Sequence, residues 1–417
     1  MKASELHLTK IRVHFPSAPI LDLEACIDRE LEKIRDSVEP GMTIAITVGS
    51  RGICDMDRVV RRVVDDFKHL GARPFIVPAM GSHGGATAEG QARVLADYGI
   101  TEEAMGVPVK SSMQVEKLGQ LPENPDIQLY MDKNAYQADK VFVINRIKPH
   151  TDFHGPHESG IVKMLVIGLG KQAQALAVHD YQIPGLRDYI PAVAKAIIGT
   201  GRILGALALV EDGQDCLSVV ECARPEDILE TDQHLLRQAR QLMASLPFTK
   251  CDVLVVDWMG KNISGTGLDT NIVGRLRIEG APCEKGPEIA RICVLNLTEQ
   301  SHGNGLGVGI ADVVTKRLAD QINWDVTYEN VLTSRFVERG FLPIVRKNDR
   351  EAINTALFTC GHVTLETVRL ARIRDTLHLE EIYVSDALLT DLKNKENVKI
   401  LEQGLSFAFN DQGNLTL

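Results

Sequence analysis

Over residues 42–100 short apolar runs alternate with amphipathic segments: MTIAITVG, DMDRVVRRVVDDFKHLG, RPFIVPAMG and ATAEGQARVLADYG. Val/Ile-rich runs bounded by glycine read as strands, and the longer segments between them carry the spacing of helices with one buried face. Strand, helix, strand, helix is the grammar of a parallel α/β sheet. The pattern continues through DKVFVINR, the run KMLVIGLG read as a further strand, a helix from about Lys171 to Tyr181, a second from about Leu186 to Ile198, and the strand GALALVE. Helices on both faces of such a sheet explain why its strands are nearly continuous in Val, Ile and Leu.

A chain of 417 residues that is 44% hydrophobic can build more than one core. The charged helical stretch 223–245 precedes a new strand-led block that opens at CDVLVVDWMG. This places a boundary near residue 248, with an N-terminal α/β domain over 1–248 and a C-terminal α/β domain over 249–384. The second block holds the strand RICVLNL and helices from about Ala311, Tyr328 and Arg350. The tail, about 385–417, is expected to return to the first domain. The fold class is thus two α/β domains with largely parallel sheets and a ligand cleft between them.

A net charge of −10 leaves no basic excess that would attract nucleic acid or an anionic membrane, so the expected partner is a small molecule. No segment offers about 18 consecutive uncharged apolar residues, and the N-terminus lacks a signal-peptide core, which together read as a cytoplasmic protein. Oligomeric state is left open, with a homo-oligomer among the options. The eight cysteines, Cys26, Cys54, Cys216, Cys222, Cys251, Cys283, Cys293 and Cys360, contain no C-x-x-C pair. They read as reduced, mostly buried thiols.

Open parallel sheets bind ligands at the carboxyl ends of their strands, so the loops that follow the apolar runs carry the candidates. After TIAITV, Gly49-Ser50-Arg51-Gly52 sets an arginine where its planar fork suits a carboxylate or phosphate. After PFIVPA, His83 sits between glycines just before a helix. After DKVFVINR, His150, His154 and His157 fall within eight residues. Imidazole is both a common metal ligand and the side chain that titrates nearest neutrality, so this density suggests a zinc or iron site or acid/base work. Lys163 begins a buried run, and Gly168-x-Gly170-x-x-Ala173 opens the helix that carries His179. The glycine spacing matches a dinucleotide fingerprint, but no second strand ends on an acidic residue about 20 positions later, which argues against a nicotinamide cofactor. The run Ser301–Gly307 reads as a mobile loop, and the role of His302 is open.

Together these pieces resemble the nickel-pincer nucleotide dependent lactate racemase family. Its members carry an arginine after the first strand, Gly-Ser/Thr-His after the second, then Pro-His, Gly-x-Ser-Gly-x-x-Lys and a downstream histidine. The resemblance is close over about 40–185 and holds only in outline elsewhere. It implies that the N-terminal domain binds the cofactor, a pyridinium-3-thioamide-5-thiocarboxylic acid mononucleotide holding nickel, covalently attached at Lys163. It also implies that His179, sixteen residues beyond Lys163, ligates nickel, that His83 and His150 are the paired acid/base residues, and that Arg51 holds the substrate carboxylate. The implied activity is that of an isomerase, a racemase or epimerase acting on a 2-hydroxy acid and served by cofactor-synthesis enzymes.

Three departures matter. Val48 stands where the family often has an aspartate three residues before the arginine. The histidine-rich loop is long, so His150 and His154 both remain candidates for the second acid/base. Lactate racemases use a Tyr-Gln-x-x-Lys type motif in the second domain, where this chain reads Gly260 to Asn271. Lys261, Asp269 and Asn271 become candidate substrate contacts, for an acid larger or more polar than lactate. The competing readings are a zinc- or iron-dependent hydrolase or lyase built on His150–His157, and a non-catalytic binding homologue.

Overall fold

The computed structural model describes residues 2–50, 52–279 and 286–416. The chain divides into two compact units, Pro16–Met243 and the segments before and after it. The first fifteen residues therefore group with the C-terminal unit and not with a 1–248 domain. The cause is the strand His7–Val13, which pairs antiparallel with Glu381–Ser385 on one side and Val398–Ser406 on the other. The tail, expected to turn back onto the N-terminal domain, instead forms the outer strand of the C-terminal sheet.

The unit Pro16–Met243 is built on a five-stranded sheet in the order Arg73–Pro78, Thr43–Val48, Lys140–Arg146, Ile203–Glu211, Leu217–Ala223. The first four strands are parallel and the last is antiparallel to its neighbour. Helix Met56–His69 shows why the sheet forms: Val59, Val60, Val63, Val64 and Phe67 share one face and are fully buried. Each such side chain contributes about 1.5–3 kcal/mol on leaving water, more than the weak helix propensity of valine costs. That face packs with helix Leu23–Leu31 and with Ile44, Ile46, Val48 and Phe142 of the strands in one core.

The expected strand KMLVIGLG is a helical turn instead. Ile161–Lys163 is α-helical and Met164–Gly168 continues as a π-helix, followed by helix Lys171–His179 at 104° to it. Nearly the whole of Ile161–Gly170 is buried. An uninterrupted apolar run carries no period, so its sequence cannot separate a buried strand from a buried helix.

The other unit holds an eight-stranded mixed sheet, Ile344–Arg346, Val313–Thr315, Glu288–Leu297, Lys250–Met259, Leu370–Ile373, Glu381–Ser385, His7–Val13, Val398–Ser406. Its first five strands are parallel. Helix Asp349–Thr359 buries Ala352, Ile353, Ala356 and Leu357 against Val253, Val255, Cys293 and Val313. The helix expected from about Ala311 begins later, at Lys316, because Val313–Thr315 completes the parallel ladder and Thr315 then caps the helix through Leu318 N–H. Among the described residues no single helix is long and apolar enough to cross a membrane.

Candidate active site

Strand order brings three loops together. Thr43–Val48 lies between Arg73–Pro78 and Lys140–Arg146, all parallel, so the segments that follow them leave the same edge of the sheet. Arg51, in the first of these, lies outside the described residues. Beside it, a Cβ at Gly49 would stand 2.8 Å from Cε of Met164, so that the flexible end of the methionine would have to shift. Ser50 is fixed by Tyr98, whose hydroxyl donates to the Ser50 carbonyl at 2.9 Å. The Ser50 hydroxyl contacts Nδ1 of His83 directly. This contact joins the first and second loops through the exposed His83.

The third loop carries His150, whose Nδ1 accepts the Asp152 N–H at 3.0 Å. Nε2 in turn contacts Nζ of Lys163. His150 is thus the histidine of its cluster in contact with Lys163. His154 turns to Glu158 at 3.0 Å, and His157 turns to Asp232 at 3.0 Å.

Two buried carboxylates shape this loop. Glu158 accepts the N–H groups of His150 at 2.6 Å and Gly155 at 3.0 Å, and pairs with Arg240. Asp232 accepts from Val162 N–H at 3.1 Å, so it holds both His157 and the turn that delivers Lys163. Asp232 and Arg240 lie eight positions apart on helix Ile228–Leu242, close to two turns and hence on one face. Sequence reading missed Glu158, Asp232 and Arg240. The available signal was this pair of charges at helical spacing, one of them on the buried stripe.

His179 ends helix Lys171–His179 and is half-buried. Among the described residues no three His, Cys, Asp or Glu side chains converge on a common metal position.

The remaining candidates lie in the other unit, in the loop after strand Lys250–Met259. Lys261 Nζ donates to the Gly265 carbonyl at 2.7 Å and to Asn330 Oδ1 at 2.6 Å. Asp269 caps a short helix by accepting from the backbone and side-chain N–H groups of Asn271 at 3.0 and 2.9 Å. Its own N–H donates to Thr376 Oγ1 at 2.9 Å. The run expected to be a mobile loop is largely packed instead: Ser301, Gly305 and Leu306 are buried, and Gly305 N–H donates to Thr327 Oγ1 at 2.9 Å. His302 is exposed, with a left-handed backbone at φ 48°.

A mostly parallel sheet with histidine- and lysine-bearing loops gathered at one edge places this unit in the open-sheet α/β class. More particularly, residues 10–185 match the family model described as the lactate racemase N-terminal domain. The chain is similar in fold to the lactate racemase apoprotein from Thermoanaerobacterium thermosaccharolyticum, with 14% identity, a TM-score of 0.50, and coverage of 93% of this chain and 92% of that one. A Thermotoga maritima protein of known structure also resembles it, with 14% identity, a TM-score of 0.48, and coverage of 68% and 72% respectively. No curated protein matches the chain.

Proposed function

We propose that this protein is an isomerase, a racemase or epimerase of a 2-hydroxy acid larger or more polar than lactate, working in the cytoplasm with a nickel-pincer nucleotide attached at Lys163. The observation that carries the reading is the contact of Lys163 Nζ with His150 Nε2, beside a second histidine, His83, held on the neighbouring strand-end loop by Ser50. The residues suit such a group. A pincer brings its own sulfur and carbon donors, so the protein need offer nickel one imidazole rather than a cage, and His179 is the proposed ligand. The histidines at 150, 154 and 157 face three different partners and lend no support to a shared zinc or iron centre.

The chemistry the group supplies when bound is reversible acceptance of hydride from the carbon that bears the hydroxyl. The chain's own residues manage the proton. His83 and His150 come from separate loops, as service to both faces of one carbon requires, and imidazoles ordinarily titrate near about pH 6.5, which suits one acid and one base near neutrality. In the free protein the Nε2 atom of His150 is occupied by the Lys163 amine. Held in a thioamide to the cofactor, that nitrogen would no longer be basic, and Nε2 of His150 would be positioned to serve the substrate hydroxyl. Arg51 is proposed to hold the substrate carboxylate, and Lys261, Asp269 and Asn271 to contact its further polar groups.

The test is the intact mass of protein produced together with the cofactor-synthesis enzymes. A covalent mass increase carrying nickel and sulfur is expected, lost in Lys163→Ala, with interconversion of stereoisomers across a panel of 2-hydroxy acids. An unshifted wild-type mass would remove the tethered cofactor.

A further inference from the structure

Behind the His83 loop runs a line of polar side chains wholly withdrawn from water. Asp132, Lys171 and Gln91 are each 0% exposed. The Lys171 ammonium lies 3.2 Å from Asp132 Oδ2, donates to Gln91 Oε1 at 3.0 Å, and contacts the carbonyl of Pro78, the last residue of strand Arg73–Pro78. Three acceptors use all three N–H groups of an ammonium. Gln91 then has its oxygen fixed toward the lysine, which turns its amide nitrogen to the carbonyls of Gly81 at 2.9 Å and His83 at 3.2 Å.

The clamp falls where the backbone most needs one. Gly81, Gly84 and Gly85 all have left-handed φ, at 60°, 65° and 65°, so the loop is drawn from the most permissive residue type. Lys171 itself is left-handed at φ 56°, a conformation that costs a residue with a side chain about 1–3 kcal/mol and persists only where surrounding structure imposes it. It is also the first residue of the helix that ends at His179. Asp132 is stitched to the same corner, since its N–H donates to the Leu169 carbonyl at 2.7 Å.

We infer that Asp132, Lys171 and Gln91 form a buried positioning relay that holds the His83 loop in fixed register with the start of the His179 helix. The relay rests on the roles proposed above for His83 and His179, but its mechanical part is independent of them. Lys171 orients Gln91, Gln91 clamps the two carbonyls that bracket Ser82, and His83 is thereby presented at a constant place. None of the three touches the reacting atoms; they act through His83.

Gln91→Glu is the discriminating variant. The carboxylate still accepts from Lys171, so the buried ammonium stays paired, but an ionised carboxylate offers no donor to Gly81 and His83. In the cofactor-free protein the expected result is a lowered unfolding midpoint, because a buried carboxylate oxygen then faces two carbonyls, with amide hydrogen exchange over residues 81–87 accelerated at least about tenfold beyond the change in the rest of the unit, as for a released local segment. In the loaded enzyme kcat is expected to fall about 10–100-fold with KM nearly unchanged, the signature of a displaced acid/base group. Gln91→Met, which lacks both functions, should reproduce both effects. Wild-type exchange in Gln91→Glu overturns the relay, as does accelerated exchange with unchanged kcat. If Gln91→Met does not fold while Gln91→Glu matches wild type in every readout, Gln91 fills the core and nothing more. A loaded wild-type enzyme inactive on every 2-hydroxy acid would sink the proposed function, while the exchange result would still decide whether the clamp exists.

Discussion

His157 and Asp232 face each other with Nδ1 and Oδ1 3.0 Å apart, both almost completely withdrawn from solvent. The other oxygen of Asp232 receives Val162 N–H, next to Lys163. One carboxylate therefore supports a histidine and the lysine-bearing turn together. Asp232→Ala would leave two buried donors unanswered, at a cost of about 2–4 kcal/mol. Urea unfolding of the variant measures it, and a loss below about 1 kcal/mol would show that the pair is not structural.

Gly160 borders the same carboxylate. A Cβ there would stand 2.1 Å from Asp232 Oδ2, and the aspartate is pinned by two partners. Gly160→Ala should cost roughly 3 kcal/mol, which in a unit of this size lowers Tm by about 6–12 °C. Glycine's backbone freedom is not the reason, since φ is −173°. Scanning calorimetry that finds Gly160→Ala as stable as wild type would contradict the packing.

Burial pushes the thiols of Cys222 and Cys251 up to about 12, and Cys293 is raised by the same cause. At pH 8 only about one molecule in ten thousand would carry a thiolate at either of the first two sites. Iodoacetamide on the folded protein at pH 8 should therefore spare Cys222, Cys251 and Cys293, and peptide mapping would detect any failure. The native state also keeps a proton that the unfolded state releases near the ordinary value of 9.0, so this contribution to stability is whole below that value and is lost progressively as pH rises from there toward about 12.

Lys261 is anchored to Gly265 and Asn330, whatever else it contacts. Lys261→Met should lower the stability of its unit by about 1–2 kcal/mol. Thermal unfolding indistinguishable from wild type would show that the anchoring carries no net energy and would leave ligand contact as its remaining role.

The first α/β unit was legible because its strands and helices alternate in unambiguous periods, and the site loops follow directly from where those strands end. His83, His150 and His179 sit on the loops and helix that the residue pattern indicated, whereas Lys163 does not. Lys163 was assigned to a strand because a run apolar on every side has no face to reveal. Glu158 and Asp232 escaped notice since their importance comes from burial beside distant residues, and single acidic positions carry no such mark in sequence. His7–Val13 was missed as a strand for a related reason: both of its partners lie more than 360 positions away.

That last pairing sets a timetable. Some 385 residues separate Val13 from Val398, so the strand that His7–Val13 must join leaves the ribosome roughly 20–80 s after it at about 5–20 residues per second. Pro16–Met243 has all its strands well before then and can condense during synthesis. For that interval the N-terminal segment, with Leu8, Ile11 and Val13 destined for full burial, is an unpaired strand awaiting its partners. In a growing chain it is the point most exposed to chaperone capture or to mispairing with a neighbour on the same message.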